Sequence, residues 1–233
     1  MKPAIHYQVI LLSVLTFFPS ADGTAGGAEK EGAGATGAPT AKDEGYGGTL
    51  ALMPLGDVDD EAIGTAAGAI KDYYNWKVVL MSREELPESA WYKPRKRYRA
   101  EKILAWLEPK KPAWAGKIMA LTRKDISTTK PPYKDWGICG LGDLDGPTSV
   151  VSTYRIKKKL GKLPPKERKA KYLRRLADLA AHEFGHQLGL DHCPNKGCIM
   201  EDAKGTVLTF DQSLGKLCDD CRKILVDRGY MLP

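Results

Sequence analysis

Apolar and polar positions change period several times along the chain, and each change marks an element. From Thr49, T-L-A-L-M-P-L is an almost unbroken apolar run, as a strand buried on both faces requires. Asp57 or Asp59 then offers an N-cap with acidic residues in the first turn, predicting a helix to about Tyr74. W-K-V-V-L-M, from Trp76, reads as a second, β-branched strand. Strand, helix, strand at this spacing is a βαβ unit and implies a parallel pair. Residues 83–98, with Pro87 and Pro94, read as a loop, and 99–108 as a helix with Ile103, Leu104 and Leu107 as its apolar stripe. Lys117–Thr122 is a third strand, 127–136 a proline-bearing loop, and 136–141 and 149–154 short strands. Behind Pro164 and Pro165 the period becomes helical, with Leu173, Leu176, Ala177, Ala180 and Phe184 recurring at three and four. A last helix is predicted over 213–228. The alternation of strands and helices places the chain in the α/β class.

The N-terminal quarter lacks such periodicity. Lys2 followed by V-I-L-L-S-V-L-T-F-F, too short to span a bilayer, fits a secretory signal over residues 1–23, with Ala21-Asp22-Gly23 as cleavage region. A buried N-terminal strand or helix is the competing reading. Residues 24–48, rich in glycine and alanine, cannot bury enough surface to offset their ordering entropy and read as a flexible linker. The folded domain is therefore expected over 49–233, in a secreted or periplasmic protein with no membrane span left after cleavage.

The chemistry is concentrated after residue 181. Three of the chain's four histidines lie in H-E-F-G-H-Q-L-G-L-D-H, beginning at His182. His182 and His186, four apart on a helix, share one face and can both reach a zinc at roughly 2.0–2.1 Å. Gly189 permits the left-handed turn that brings His192 round as third ligand. Three protein ligands leave a fourth position open, the mark of a catalytic rather than structural zinc. Glu183 then lies beside the metal, placed to act as general base on a zinc-bound water. Met200, eight residues beyond His192, is the candidate for a methionine turn beneath the metal.

Four of the five cysteines follow at once, as C-x4-C-x-M from Cys193 and then, seventeen residues on, C-x-x-C. By chemistry alone they are either a closed tetrahedral zinc site or a pair of disulfides. The whole constellation, His182, Glu183, His186, Gly189, His192, Cys193, Cys198, Met200, Cys218 and Cys221, resembles the archaemetzincins, most closely over residues 166–229. That resemblance implies a metzincin-like twisted mixed sheet with an active-site helix and a small C-terminal subdomain. It implies two zinc ions, the second held by Cys193, Cys198, Cys218 and Cys221. It also implies a metallopeptidase acting on short peptides, sometimes aminopeptidase-like. In metzincins the short strand before the active-site helix pairs with substrate, which by position falls to 136–141. The glycines there serve such an approach or merely form a tight turn. The alternative to an enzyme is a zinc-stabilised peptide- or nucleic-acid-binding module. Glu183 speaks against it, since a purely structural metal needs no base.

The remaining features alter this picture little. The net charge of +7 comes mainly from K-P-R-K-R-Y-R at 93–99 and the basic run 155–175, without the aromatic interleaving of a nucleic-acid platform. A solvated basic face or an electrostatic bias toward acidic peptides is expected, with no nucleic-acid partner. Asp178, one turn before His182, reads either as its hydrogen-bond partner or as a solvated carboxylate. Cys139 reads as a buried thiol without special chemistry. A monomer acting on peptide or small-protein substrates is expected; the residues that bind substrate are not legible.

Overall fold

The parallel pair expected from the first two strands forms one side of a five-stranded sheet. The computed structural model describes residues 47–203 and 206–233, so the expected signal (1–23) and all of the linker except Gly47 and Gly48 lie outside the described residues. In chain order the elements are β1 (Thr49–Leu55), α1 (Asp60–Tyr74), β2 (Lys77–Leu80), β3 (Trp91–Tyr92), β4 (Arg97–Arg99) and α2 (Ala100–Leu107). They continue with β5 (Lys117–Thr122), β6 (Ile126–Lys130), β7 (Tyr133–Ile138), β8 (Gly140–Gly142), β9 (Thr148–Ser152) and α3 (Thr153–Ile156). The chain then forms α4 (Pro165–Gln187), α5 (Leu208–Gln212) and α6 (Asp219–Asp227).

The main sheet runs β2-β1-β5-β9-β8, all parallel except β8, which pairs antiparallel with β9 at one edge. Its central strands β1 and β5 are largely apolar because both faces are covered. Leu50, Leu52, Met119, Leu121 and Val151 point into the core shared with α1 and α4. Their neighbours Ala51, Met53, Ile118, Ala120 and Val150 point into the core beneath α2. Side chains alternate across a strand, so one continuous run supplies both layers. Asp59 caps α1 by accepting from the Ala62 N–H at 2.8 Å.

A second sheet, β3-β4-β6-β7, replaces segments expected as loops. Residues 127–136 are not a loop. They belong to the β6–β7 hairpin, which turns at Pro131-Pro132 and carries polar residues because much of it is exposed. Residues 83–98 likewise contain β3 and β4, too short to show a period. The strand expected over 136–141 is two, interrupted at Cys139, and the one expected over 149–154 gives way to α3 after Ser152. The helix expected over 213–228 begins only at Asp219. The backbone of 214–216 bonds instead to the cysteine loop, Leu214 N–H to Gly197 O and Lys216 O from Ile199 N–H, so it cannot also make helical bonds. Gly47 and Gly48 belong to the folded body, since Gly47 donates to Asn75 O and Gly48 O accepts from Lys77.

The layout packs α4 against α1 and against β8 and β9 at the sheet edge. Phe184 and Leu176 are fully buried against α1, and Phe184 meets Tyr74 and Trp76 edge-on with ring centroids 5.2 and 5.0 Å away. Each such side chain contributes about 1.5–3 kcal/mol by burial. The Tyr74 hydroxyl donates to Ala181 O at 2.7 Å, fixing the helix one residue before the first candidate ligand.

Candidate active site

A cleft of about 510 Å³ runs along α4, walled on one side by β7 and β8 and on the other by the segment leading into α5. Its floor carries His182, Glu183 and His186, and His192 enters from the turn after the helix. That turn follows from Gly189, which takes φ +86°. Leu190 N–H bonds to Gly185 O and Gly189 N–H to His186 O, the paired bonds of a Schellman stop. The donor atoms of His182, His186 and His192 all lie within 4.8 Å of one another.

The hydrogen bonds of the first two histidines decide their tautomers. His182 Nδ1 faces Ile199 O at 2.8 Å and His186 Nδ1 faces Leu190 O at 2.7 Å. A carbonyl only accepts, so each Nδ1 carries the proton and each Nε2 is left with a lone pair. These two Nε2 atoms are 3.1 Å apart. Two lone pairs so placed repel unless a cation lies between them, and burial, reinforced by His186, holds the His182 pKa down to about 3. The three imidazoles therefore fit a zinc ion, with carbonyls fixing the rings from behind.

Glu183 is buried, and that burial raises its pKa to about 8 against the pull of the Gly142 N–H. It is buried because β8 lies directly on it. A Cβ at Gly140 would come 2.5 Å from Glu183 Oε1, and one at Gly142 would come 2.4 Å from Glu183 O. The glycines at 140 and 142 thus serve close approach, here of the strand to the helix. Met200 is fully buried, its sulfur against Gly185 of the helix that carries His182 and His186.

Beside this cleft, Cys193, Cys198, Cys218 and Cys221 bring their sulfurs within 4.8 Å of one another. Cys193 and Cys218 are 3.6 Å apart and Cys198 and Cys221 3.8 Å. Disulfide sulfurs stand about 2.05 Å apart, whereas four sulfurs about 2.3 Å from one zinc are separated by about 3.8 Å along a tetrahedral edge. The backbone N–H groups of Asn195 and Cys218, and the Asn195 amide, point at the sulfurs of Cys193, Cys198 and Cys218. Such donors favour thiolates. The contact between Cys198 and Cys221 draws the Cys198 thiol down to about 5 and pushes Cys221 up, while burial raises Cys193. The set suits a closed metal site.

Two expected placements change. Asp178 is neither solvated nor a partner of His182, whose Nδ1 is taken by Ile199 O. It is 1% exposed, and burial raises its pKa against weaker pulls from Ser213, Arg174 and Tyr73. Cys139 is half-buried and lines the cleft, its pKa raised to about 11 by burial and by nearby Glu183. The carbonyls of Ile199 and Leu190 were hidden from the sequence, because every residue has one. The lysines of the cleft, Lys130, Lys158 and Lys159, were legible only as part of general basicity.

Comparison with known proteins agrees with this geometry. Residues 83–227 match the model of Peptidase family M54. The chain is 30% identical over 175 residues to "Archaemetzincin" of Haloquadratum walsbyi, covering 75% of this chain and 97% of the relative. The crystal structure of Archaemetzincin from Methanopyrus kandleri superposes with a TM-score of 0.63 at 25% identity, covering 77% of this chain and 93% of the other. That of Archaemetzincin from Archaeoglobus fulgidus complexed with malonate gives 0.62 at 24% identity, covering 75% and 98%, and speaks for the fold alone. Among the described residues, no helix is long and apolar enough to cross a membrane.

Proposed function

The chain belongs to peptidase family M54, the archaemetzincins, and is a zinc metallopeptidase; on that premise we propose that the cleft over α4 hydrolyses short peptides with Glu183 as general base. His182, His186 and His192 would hold the catalytic zinc, and Cys193, Cys198, Cys218 and Cys221, whose sulfurs also converge, would hold a second, structural one. When bound, the catalytic ion polarises the scissile carbonyl and acidifies the hydrolytic water. The observation that carries the reading is the pair of Nε2 lone pairs 3.1 Å apart, next to a buried carboxylate.

Glu183 accepts the proton of the attacking water and returns it to the leaving amine. Burial raises its pKa, a shift that the charge of an ion held by the histidines would oppose, so the carboxylate stays available as a base. Among the described residues the outer edge of β8 pairs with no other strand, which offers it to substrate, with the Gly142 N–H there turned to Glu183. A peptide adding to that edge makes backbone bonds irrespective of side chain. Gly140 and Gly142 keep the edge close to Glu183.

The test is metal content and hydrolysis on the same samples of the full chain, wild type beside Glu183→Ala, with a mixed pool of short peptides. Two zincs in both proteins and cleavage lost only in the variant is the expected result. Two zincs without cleavage by wild type would point instead to a zinc-stabilised binding module.

A further inference from the structure

The two ends of the cleft differ in charge. Its carboxylates lie on the histidine side: Asp191 is next to His192 and acts on His186, and Asp202 acts on His182. The opposite end, beyond Leu179, is lined by Arg155, Lys158 and Lys159, with Lys130 on the facing hairpin. Arg155 is neutralised, its Nε and Nη2 donating to Asp125 at 2.6 and 2.9 Å. Lys158 and Lys159 are exposed, and among the described residues neither ammonium has a carboxylate within ion-pair distance. Lys158 and Cys139 both line the cleft, and the ammonium opposes the rise in the Cys139 pKa.

This turn is held rather than loose. Arg175, 1% exposed, donates from Nη1 to the carbonyls of Ile156 at 2.6 Å and Lys158 at 2.8 Å. Its Nε and Nη2 grip both oxygens of Asp211 in α5, each at 2.7 Å. One buried guanidinium thus fixes the basic turn against the opposite wall. Lys159 has a φ of +62°, a left-handed conformation that glycine or asparagine fills more easily. Lys159 lines the cleft in this conformation without an ion-pair partner among the described residues.

Strand direction says which half of a peptide meets these lysines. From Gly137 to Gly142 the chain passes from Arg155, over Glu183, to His186. β8 therefore runs away from Lys158. A peptide added antiparallel to it runs toward Lys158, so the residues C-terminal to the scissile bond approach the basic turn. Arg175 precedes His182 by seven residues, about 10 Å along the helix, or about three residues of extended peptide.

We propose that the Lys158–Lys159 turn binds a carboxylate on the leaving-group side of the substrate, within about three residues of the scissile bond. The proposal rests on the peptidase reading and on antiparallel pairing with β8. The carboxylate is either the C-terminal group of a short peptide or a Glu or Asp side chain.

Four matched peptides distinguish the sources: free acid or amide at the C-terminus, each with Glu or Gln two residues after the cleaved bond. Affinity is measured on zinc-loaded Glu183→Ala by fluorescence anisotropy, and kcat/KM on wild type. The preferred carboxylate should bind about three- to tenfold more tightly than its neutral match, as two partly exposed ion pairs allow. The preference should shrink at high salt. In Lys158→Gln/Lys159→Gln the ratio between matched peptides should fall toward one. A response to the terminal group identifies the C-terminal carboxylate, and a response to Glu against Gln the side chain. Equal affinity for all four peptides, or an unchanged ratio in the double variant, overturns the proposal. Absence of hydrolysis from every peptide would refute the peptidase reading instead, while the binding ratios still decide this one.

Discussion

The sulfur of Met200 packs onto Gly185, the residue just before the second helical histidine, so closely that a Cβ at position 185 would lie 2.4 Å from it. The same Cβ would come 2.8 Å from the Tyr74 hydroxyl. The glycine inside H-E-F-G-H is thus a packing requirement, although alanine would favour the helix by about 1 kcal/mol.

Gly185→Ala is therefore expected to destabilise, with overpacking of about 1–3 kcal/mol exceeding the propensity gain. Thermal unfolding should show a fall of several degrees. Adding Met200→Ala should recover part of the loss, a coupling that a double-mutant cycle measures. Simple additivity would mean that the two residues do not compete for this space.

Glu183→Gln keeps the shape of the buried side chain and removes the base. Peptide hydrolysis should fall by about 10²–10⁴-fold, the usual range for a general base. Metal analysis should find the histidine zinc retained. Loss of zinc together with activity would assign Glu183 to metal binding.

Denaturing thiol titration under anaerobic conditions with a strong chelator should find all five cysteines reactive. Two disulfides would leave one. Cys221→Ser should remove one zinc per chain and lower stability, because a structural zinc site contributes folding energy directly. Zinc content unchanged by this substitution would exclude the four-sulfur site.

The Arg175–Asp211 pair predicts a pH dependence of stability. Burial alone would raise the Asp211 pKa, but hydrogen bonds from Arg175 and Lys171 hold it below the ordinary value. A depressed folded pKa means that the stabilisation is complete above the unfolded value, about 3.9, and fades as pH falls through the folded one. Asp211→Asn should cost about 3–5 kcal/mol at pH 7, because it strands a buried guanidinium. Urea unfolding should show the gap between the two proteins closing below about pH 4. A gap independent of pH would assign the loss to packing.

Much of the site was legible because its chemistry needs side chains at fixed spacings. His182, Glu183, His186 and the four cysteines are rare residue types in a pattern that few arrangements explain. The strands at Thr49 and Lys117 were legible because burial on both faces leaves an unbroken apolar run. The second sheet was not, since β3 and β4 are too short for a period and the β6–β7 hairpin faces solvent with polar residues. Asp178 misled because a carboxylate is usually exposed; only the tertiary position of α4 buries it. The charge asymmetry of the cleft was invisible for a similar reason, since Lys158 becomes distinct from its basic neighbours only once Arg175 fixes its turn.

Ile199 joins the two clusters through its own backbone. Its N–H is bonded to Lys216 O beside the sulfurs, and its carbonyl orients the His182 ring. Neither cluster can open far without breaking one of these bonds, so the two should fluctuate as a single cooperative unit. The slowest amide exchange in the C-terminal third should then include Ile199, and loosening the sulfurs alone should quicken exchange in the α4 turn that carries the histidines.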